Sequence, residues 1–186
     1  VEDVGRAGAT IFLGLPGGRQ VAEVCTRIAA VAAPGTLVVD LSTTSVAEAR
    51  AIAASLAEHG LRFADAPVAR TRQAAIDGTL SIMVGASEAL FAEILPLLRH
   101  MGSDVTHCGE VGCGQVVKLV NNCLLFQHVA SIAEMMVVAE RAGVTADKLI
   151  EAVGLGSGNS FALQNHAKKA MAPRDFPLKA FSSAYT

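Results

Sequence analysis

The sequence predicts an α/β fold: an incomplete, mostly parallel sheet domain, then a long bridging helix and part of an all-helical domain. Three observations carry that expectation. Up to about Cys108, short continuous apolar runs alternate with helical runs, the pattern of buried parallel strands and their crossover helices. From Gln115 to about Gly143 the pattern changes to unbroken helical spacing without Gly or Pro. Apolar residues fill 52% of the 186 positions and charged residues 17%, which supplies a buried core and excludes a disordered chain.

Each element has a local reason. Ala9 to Leu15 (ATIFLGL) is a continuously apolar strand closed by Pro16-Gly17-Gly18, and Gln20 to Ala33 is helical in its spacing. Thr36 to Asp40 (TLVVD) is a second buried strand. Ser42-Thr43-Thr44-Ser45 ends it with hydroxyls that can cap a helix from about Val46 to His59. Arg62 to Val68 and Leu80 to Val84 repeat the strand pattern, and their short connection allows antiparallel pairing at an edge. Glu88 to Met101 reads as a helix and Ser103 to Cys108 as a last short strand. The helix from Gln115 would span roughly 40 Å at ~1.5 Å per residue. It carries Lys118, Asn121, Asn122, Gln127, His128 and Glu134, which argues against a membrane span. Helices over Ala146 to Val153 and about Asn159 to Met171 follow. The expected division is a sheet domain over 1–108 and a helical part over 109–186.

A net charge of -2 argues against nucleic acid or an acidic membrane as the main partner. Cys25, Cys108, Cys113 and Cys123 lack paired C-x-x-C spacing, so they read as small hydrophobes in a reducing, cytoplasmic setting and not as metal ligands. The opening Val-Glu-Asp-Val shows no signal-peptide pattern. Both ends are expected to be cut from a longer chain.

The stretch richest in chemistry is Gly109-Glu-Val-Gly112-Cys-Gly114-Gln-Val-Val-Lys118-Leu-Val-Asn121-Asn122, a glycine-rich turn leading into a long helix. Lys118 and Asn122 are spaced i,i+4 and share a helix face. A lysine there can move a proton once burial or a nearby cation lowers its pKa, and an asparagine one turn on can hold both the lysine and a hydroxyl. Taken alone, a helix lysine reads more often as a side chain reaching for solvent. A phosphate loop needs Lys-Ser/Thr directly after the last glycine, where Gln115-Val116 stands. The dinucleotide pattern needs a glycine at Val117. Both fail.

This stretch resembles the catalytic helix of the β-hydroxyacid dehydrogenases, the family of 3-hydroxyisobutyrate dehydrogenase and tartronate semialdehyde reductase and, more distantly, of 6-phosphogluconate dehydrogenase. Further motifs agree in order. Leu13-Gly14-Leu15-Pro16 resembles the family's strand-end turn beside the cofactor, and Asp40-Leu-Ser42-Thr43 its D-x-S-T segment near the nicotinamide. Phe63-Ala-Asp65-Ala-Pro67-Val68, with Gly78-Thr79-Leu80 and Met83-Val84-Gly85, resembles its substrate-binding stretch. Pro173-Arg-Asp175-Phe176 matches a later R-D-F segment. The resemblance implies a Rossmann domain, a bridging helix and a helical domain, with NAD or NADP as cofactor. It implies Lys118 as general acid for reduction and base for oxidation, with Asn122 orienting it. Ser42, Ala69, Arg70, Thr71 and Asn121 become candidate substrate-binding residues, and Leu15, Pro16, Thr43 and Gly114 candidate cofactor-binding residues. Read without the family, Ser42 and Thr43 are helix-cap residues and Leu15-Pro16 a plain turn.

Departures from the family pattern matter too. Where members continue Ser-Gly-Gly after Pro67-Val68, this chain has Ala69-Arg70-Thr71-Arg72-Gln73, similar to the sulfolactaldehyde reductases. Arg70 offers a guanidinium suited to a carboxylate, sulfonate or phosphate. It reads equally as a surface arginine. Val46 stands where many members have proline. No strand–G-x-G-x-x-G–helix unit precedes Val1, so the first such unit is expected outside this sequence. The expected activity is hydride transfer on a small anionic β-hydroxy acid or its semialdehyde, in a homodimer or higher homo-oligomer. The competing expectations are an imine reductase, against which Lys118 speaks, and a non-catalytic dimerisation scaffold.

Overall fold

A computed structural model describes residues 1–176. The strands are β1 (Thr10–Leu13), β2 (Leu37–Asp40), β3 (Arg62–Asp65), β4 (Val68–Ala69), β5 (Leu80–Gly85) and β6 (Gly102–Gly109). The helices are α1 (Glu2–Ala7), α2 (Gly18–Ala29), α3 (Val46–Glu58), α4 (Arg72–Ile76), α5 (Glu88–Leu98), α6 (Cys113–Arg141) and α7 (Ala146–Gly154), followed by a π-helical segment, Leu163–Met171. They form two compact units, Val1–Leu119 and a second beginning at Val120. That boundary falls inside α6, whereas the sequence reading put it at the start of the glycine-rich turn. Positions 177–186 of the expected helical part lie outside the described residues.

In the first unit β1, β2 and β3 are parallel and in register, with Leu13 opposite Asp40 and Asp40 opposite Asp65. The carboxyl ends of three strands are therefore level. β5 runs antiparallel to β3 and β4, which share one of its edges, and parallel to β6 on the other. The antiparallel pairing expected around Arg62–Val84 is present, but inside the sheet, because β6 covers what would have been its edge. Alternation along β2 splits its side chains between two cores. Val38 packs with Ile11, Leu13, Val21, Ile28, Ile52 and Phe63 under α2 and α3. Leu37 and Val39 pack with Ala64, Ile82, Val84, Ile94 and Leu98 under α5. A sheet covered on both faces needs continuously apolar strands, which is why these runs show no period-two pattern. Each fully buried Val, Leu or Ile contributes about 1.5–3 kcal/mol.

The helix after β2 starts where expected. Ser45 accepts from the Glu48 N–H, and the Glu48 carboxylate accepts from the Ser45 N–H, closing a capping box. Two short elements were not foreseen. α1 is held by a bidentate pair from Arg27 to Glu2 at 2.8 and 3.0 Å, a contact with no sequence-local signal. α4, only five residues long, sits in the chain between β4 and β5.

In the second unit Met136, Ile150, Leu163 and Ala167 form a small core among α6, α7 and the π-helical segment. The helix expected from about Asn159 to Met171 is thus π-helical over most of its length. By length and apolarity α6 qualifies as a membrane-crossing helix. Its first turn, however, is built into hydrogen bonds of the sheet unit, described next.

Candidate active site

The level strand ends create the site. Ligands of open α/β sheets bind beyond the carboxyl ends of the strands. Leu15 and Pro16 lie just past β1, Ser42 and Thr43 just past β2, and Ala69 at the end of β4, with Arg70 and Thr71 next. Leu15 and Thr43 are half-buried, Ser42 and Ala69 buried, and Pro16, Arg70 and Thr71 exposed.

A buried hydrogen-bond chain ties the segments past β1 and β2 to the start of α6; the Ala69–Thr71 segment takes no part in it. The Leu15 N–H donates to Ser42 Oγ at 2.9 Å, so two motifs far apart in sequence meet directly. Ser42 N–H donates to Asp40 Oδ1 at 3.0 Å. Gln115, fully buried at the start of α6, spans the loop beyond β2 with both ends of its amide. Its Nε2 donates to the Ser42 carbonyl at 2.8 Å, and its Oε1 accepts from the Thr44 N–H at 3.0 Å. Asp65 closes the chain from below. Its carboxylate accepts from the Gly112 N–H at 2.6 Å and the Gln115 N–H at 2.9 Å, satisfying donors that a helix start otherwise leaves unpaired.

Two glycines permit that seat. A Cβ on Gly114 would overlap the Met83 carbonyl and the Asp65 carboxylate, and one on Gly85 would overlap Asp65 as well. Gly112, at φ +93°, makes the turn that brings the helix onto the strand ends.

Charge in the site follows burial. Asp40 and Asp65 have no exposed surface. Desolvation raises the Asp40 pKa to about 6 despite its bonds to Ser42. Desolvation also raises that of Asp65, opposed by the backbone N–H groups it accepts. Among the described residues, Asp40 Oδ2 and Thr44 Oγ1 are buried without a partner. Lys118 is half-buried one turn beyond Gln115, and desolvation lowers its pKa below the ordinary lysine value. No carboxylate among the described residues pairs with it. Asn122 is half-buried and Asn121 exposed on the same helix, their amides 3.4 Å apart.

Arg70 occupies a left-handed backbone conformation, φ +83°, which favours glycine. Its guanidinium is engaged: Nη1 donates to the Thr79 carbonyl at 2.6 Å and to Ser103 Oγ at 3.0 Å, and Nη2 pairs with Asp104 at 2.6 Å.

Of the residues the sequence singles out, Leu15 and Ser42 take part in this chain of bonds, Thr43 lies between its two anchored backbone groups and Gly114 lies against Asp65; Lys118 follows one turn along α6, while Pro16, Ala69, Arg70, Thr71, Asn121 and Asn122 make no bond in it. Sequence reasoning gave Gln115 no role, Thr44 only a place among capping hydroxyls, and Asp40 and Asp65 only a place in family motifs. The available signals were a polar residue at the buried start of an apolar helix and an aspartate closing each of two apolar strands.

The turn past β1 leaves room for a nicotinamide cofactor. A Cβ on Gly14 would meet nothing within 4 Å, so the turn past β1 is open, and Leu15 offers it an apolar side chain. The start of α2 does not offer a phosphate site, because the Glu48 carboxylate lies over Gly18.

Comparison with known proteins agrees. Residues 1–109 match the family model of the NAD binding domain of 6-phosphogluconate dehydrogenase. Residues 112–183 match that of the NAD-binding region of NADP-dependent 3-hydroxyisobutyrate dehydrogenase. The chain is 37% identical to 2-(hydroxymethyl)glutarate dehydrogenase of Eubacterium barkeri over 94% of its own length and 59% of that protein's. It is 36% identical to a probable 3-hydroxyisobutyrate dehydrogenase of Mycobacterium tuberculosis, over 89% and 56%. A solved structure of the Mycobacterium tuberculosis 3-hydroxyisobutyrate dehydrogenase with L-serine superposes with a TM-score of 0.85 at 34% identity, covering 89% of this chain and 57% of that one. The chain thus spans less than two thirds of the length of these relatives.

Proposed function

The chain belongs to the β-hydroxyacid dehydrogenase family, and from that premise we propose that its protein is an NAD(P)-dependent oxidoreductase interconverting a small anionic β-hydroxy acid and its aldehyde. The observation that carries the proposal is Lys118: a half-buried lysine with a lowered pKa and no carboxylate partner among the described residues, one helical turn beyond Gln115, whose amide holds the Ser42–Thr44 loop. Such an amine takes the hydroxyl proton as the alcohol is oxidised and returns it as the carbonyl is reduced. NAD or NADP supplies the hydride chemistry when bound. Leu15, Pro16 and Thr43 border it, and Gly114 keeps the helix start free of a side chain.

Ser42 and the Ala69–Thr71 segment face the substrate in this proposal, and Asn122, with Asn121 beside it, holds the hydroxyl. Arg70 binds the anionic end of the substrate by exchanging Asp104 for it. Both partners of that pair are about half exposed, so solvent screens it and the exchange costs little, while the bonds from Nη1 to Thr79 and Ser103 can stay in place. α6 leaves Val116, Val117, Leu119, Val120, Leu124 and Phe126 exposed, which supports a homodimer or higher homo-oligomer. Free thiols at all four cysteines suit a cytoplasmic enzyme.

The test is nicotinamide absorbance with the full-length gene product, each cofactor, and a panel of carboxylated and sulfonated semialdehydes. Turnover abolished in Lys118→Ala is the expected result. Full activity in that variant overturns the lysine's role, and absence of both turnover and cofactor binding leaves the scaffold reading.

A further inference from the structure

We infer that Gln115 is a positioning residue that holds the Ser42–Thr44 loop and the Lys118 helix as one rigid body; this rests on the role proposed for Lys118. The Gln115 amide grips the backbone on both sides of Thr43, accepting from Thr44 N–H and donating to the Ser42 carbonyl. Its own N–H is held by Asp65, at the end of a different strand. It has no exposed surface and therefore no solvent to substitute for either bond. Three residues on, in the same helix, stands Lys118. The side chain that fixes where Thr43 sits thus also fixes the base of the turn from which Lys118 projects. Ser42 extends the coupling, because its hydroxyl receives the Leu15 N–H. One amide therefore sets the spacing between the proton-transferring amine and both loops proposed to border the cofactor. An ordinary core residue at position 115 would fill the same volume without linking these parts.

A side chain holding both a donor and an acceptor is required, and that makes the inference testable by replacing the amide with an acid. A protonated glutamate presents the same donor and acceptor; an ionised one presents only acceptors and faces the Ser42 carbonyl with a negative charge. The titratable groups around this position are Asp65, which accepts its N–H, Asp40, which accepts the N–H of the same Ser42, and Lys118 on its own helix, whose cation opposes the effect of the carboxylates. Burial and the Asp65 charge both raise the pKa of the introduced acid.

The experiment uses the full-length gene product with its preferred cofactor and semialdehyde. Gln115→Leu should lower kcat by about 10- to 100-fold, raise the KM for cofactor, and leave the secondary structure by circular dichroism intact. Gln115→Glu should retain most of the parent rate at low pH and lose it progressively as pH rises, relative to the parent at each pH. Should Gln115→Leu not fold, Gln115→Glu carries the test alone. A Gln115→Glu rate that follows the parent at every pH overturns the inference, as does a Gln115→Leu kcat within twofold of the parent. Lys118→Ala measured alongside separates the two claims. An inactive Lys118→Ala with unaffected Gln115 variants removes the positioning role alone, whereas an active Lys118→Ala removes the proposed acid–base role on which it rests.

Discussion

Asp40 and Asp65 stand directly opposite each other at the ends of β2 and β3, both without exposed surface. They are not equivalent. Asp65 accepts from the Gly112 and Gln115 N–H groups, while one oxygen of Asp40 has no partner among the described residues. Two carboxylates side by side repel, and the less well bonded one keeps its proton longer.

Stability should therefore depend on pH through Asp40. Its pKa is raised from 3.8 to about 6, so the fold favours the neutral acid. Below about pH 4 the acid is neutral folded and unfolded, and there is no cost. Between there and about pH 6 a penalty accumulates, reaching about 3 kcal/mol and staying constant above. Asp40→Asn removes that ionisation. Denaturant unfolding of variant and parent should show the difference moving in the variant's favour by about that amount between about pH 4 and pH 7. A difference that stays flat over this range would contradict the buried charge.

Lys118→Arg keeps a positive charge but cannot serve as acid or base, because a guanidinium does not deprotonate in this range. Turnover should fall by about 10²–10⁴-fold. In the parent, oxidation should accelerate as pH rises through the lysine's pKa and reduction should slow, both at a pH below the ordinary lysine value. A rate profile without that limb argues for another acid–base group.

Arg70 and Asp104 should report on the anion. Arg70→Ala should raise the substrate KM by about tenfold with little change in kcat, since an anion contact of this kind contributes about 1.5–3 kcal/mol less the cost of leaving Asp104. Asp104→Asn, which loosens the competing pair, should lower KM. Opposite signs in the two variants are the result expected; equal KM values place Arg70 outside the substrate site.

Gly114→Ala should destabilise by about 1–3 kcal/mol, because the added methyl meets the Met83 carbonyl and Asp65. Gly14→Ala, with open space at its Cβ, should stay within about 0.5 kcal/mol of the parent. Chemical denaturation of the pair distinguishes close packing at the helix start from a general intolerance of change.

Much of this was legible beforehand because it is local. The apolar runs around Phe12, Val38 and Ile82 predicted the strands, and the hydroxyls of Ser42 to Ser45 predicted a helix start. α1 was not legible, since its stabilising pair joins Glu2 to Arg27 across the interval between two helices. α4 carries too few residues for a period to read, and β4 was expected only as the end of one strand over Arg62 to Val68. The π-helical segment was read as an ordinary helix, since the two share an apolar pattern over a few turns.

The sequence by itself determined the order of strands and helices, the long polar-dotted α6 and the candidate lysine, because hydrophobic spacing and turn residues act over a few positions. It also supplied the family resemblance, through motifs kept in order. Only the tertiary structure decided that the Leu15 turn, the Ser42–Thr44 loop, Asp65 and the start of α6 form one hydrogen-bonded unit. Buried polar groups must find partners wherever the fold brings them, and Gln115 finds its partners 71 and 73 positions away along the chain.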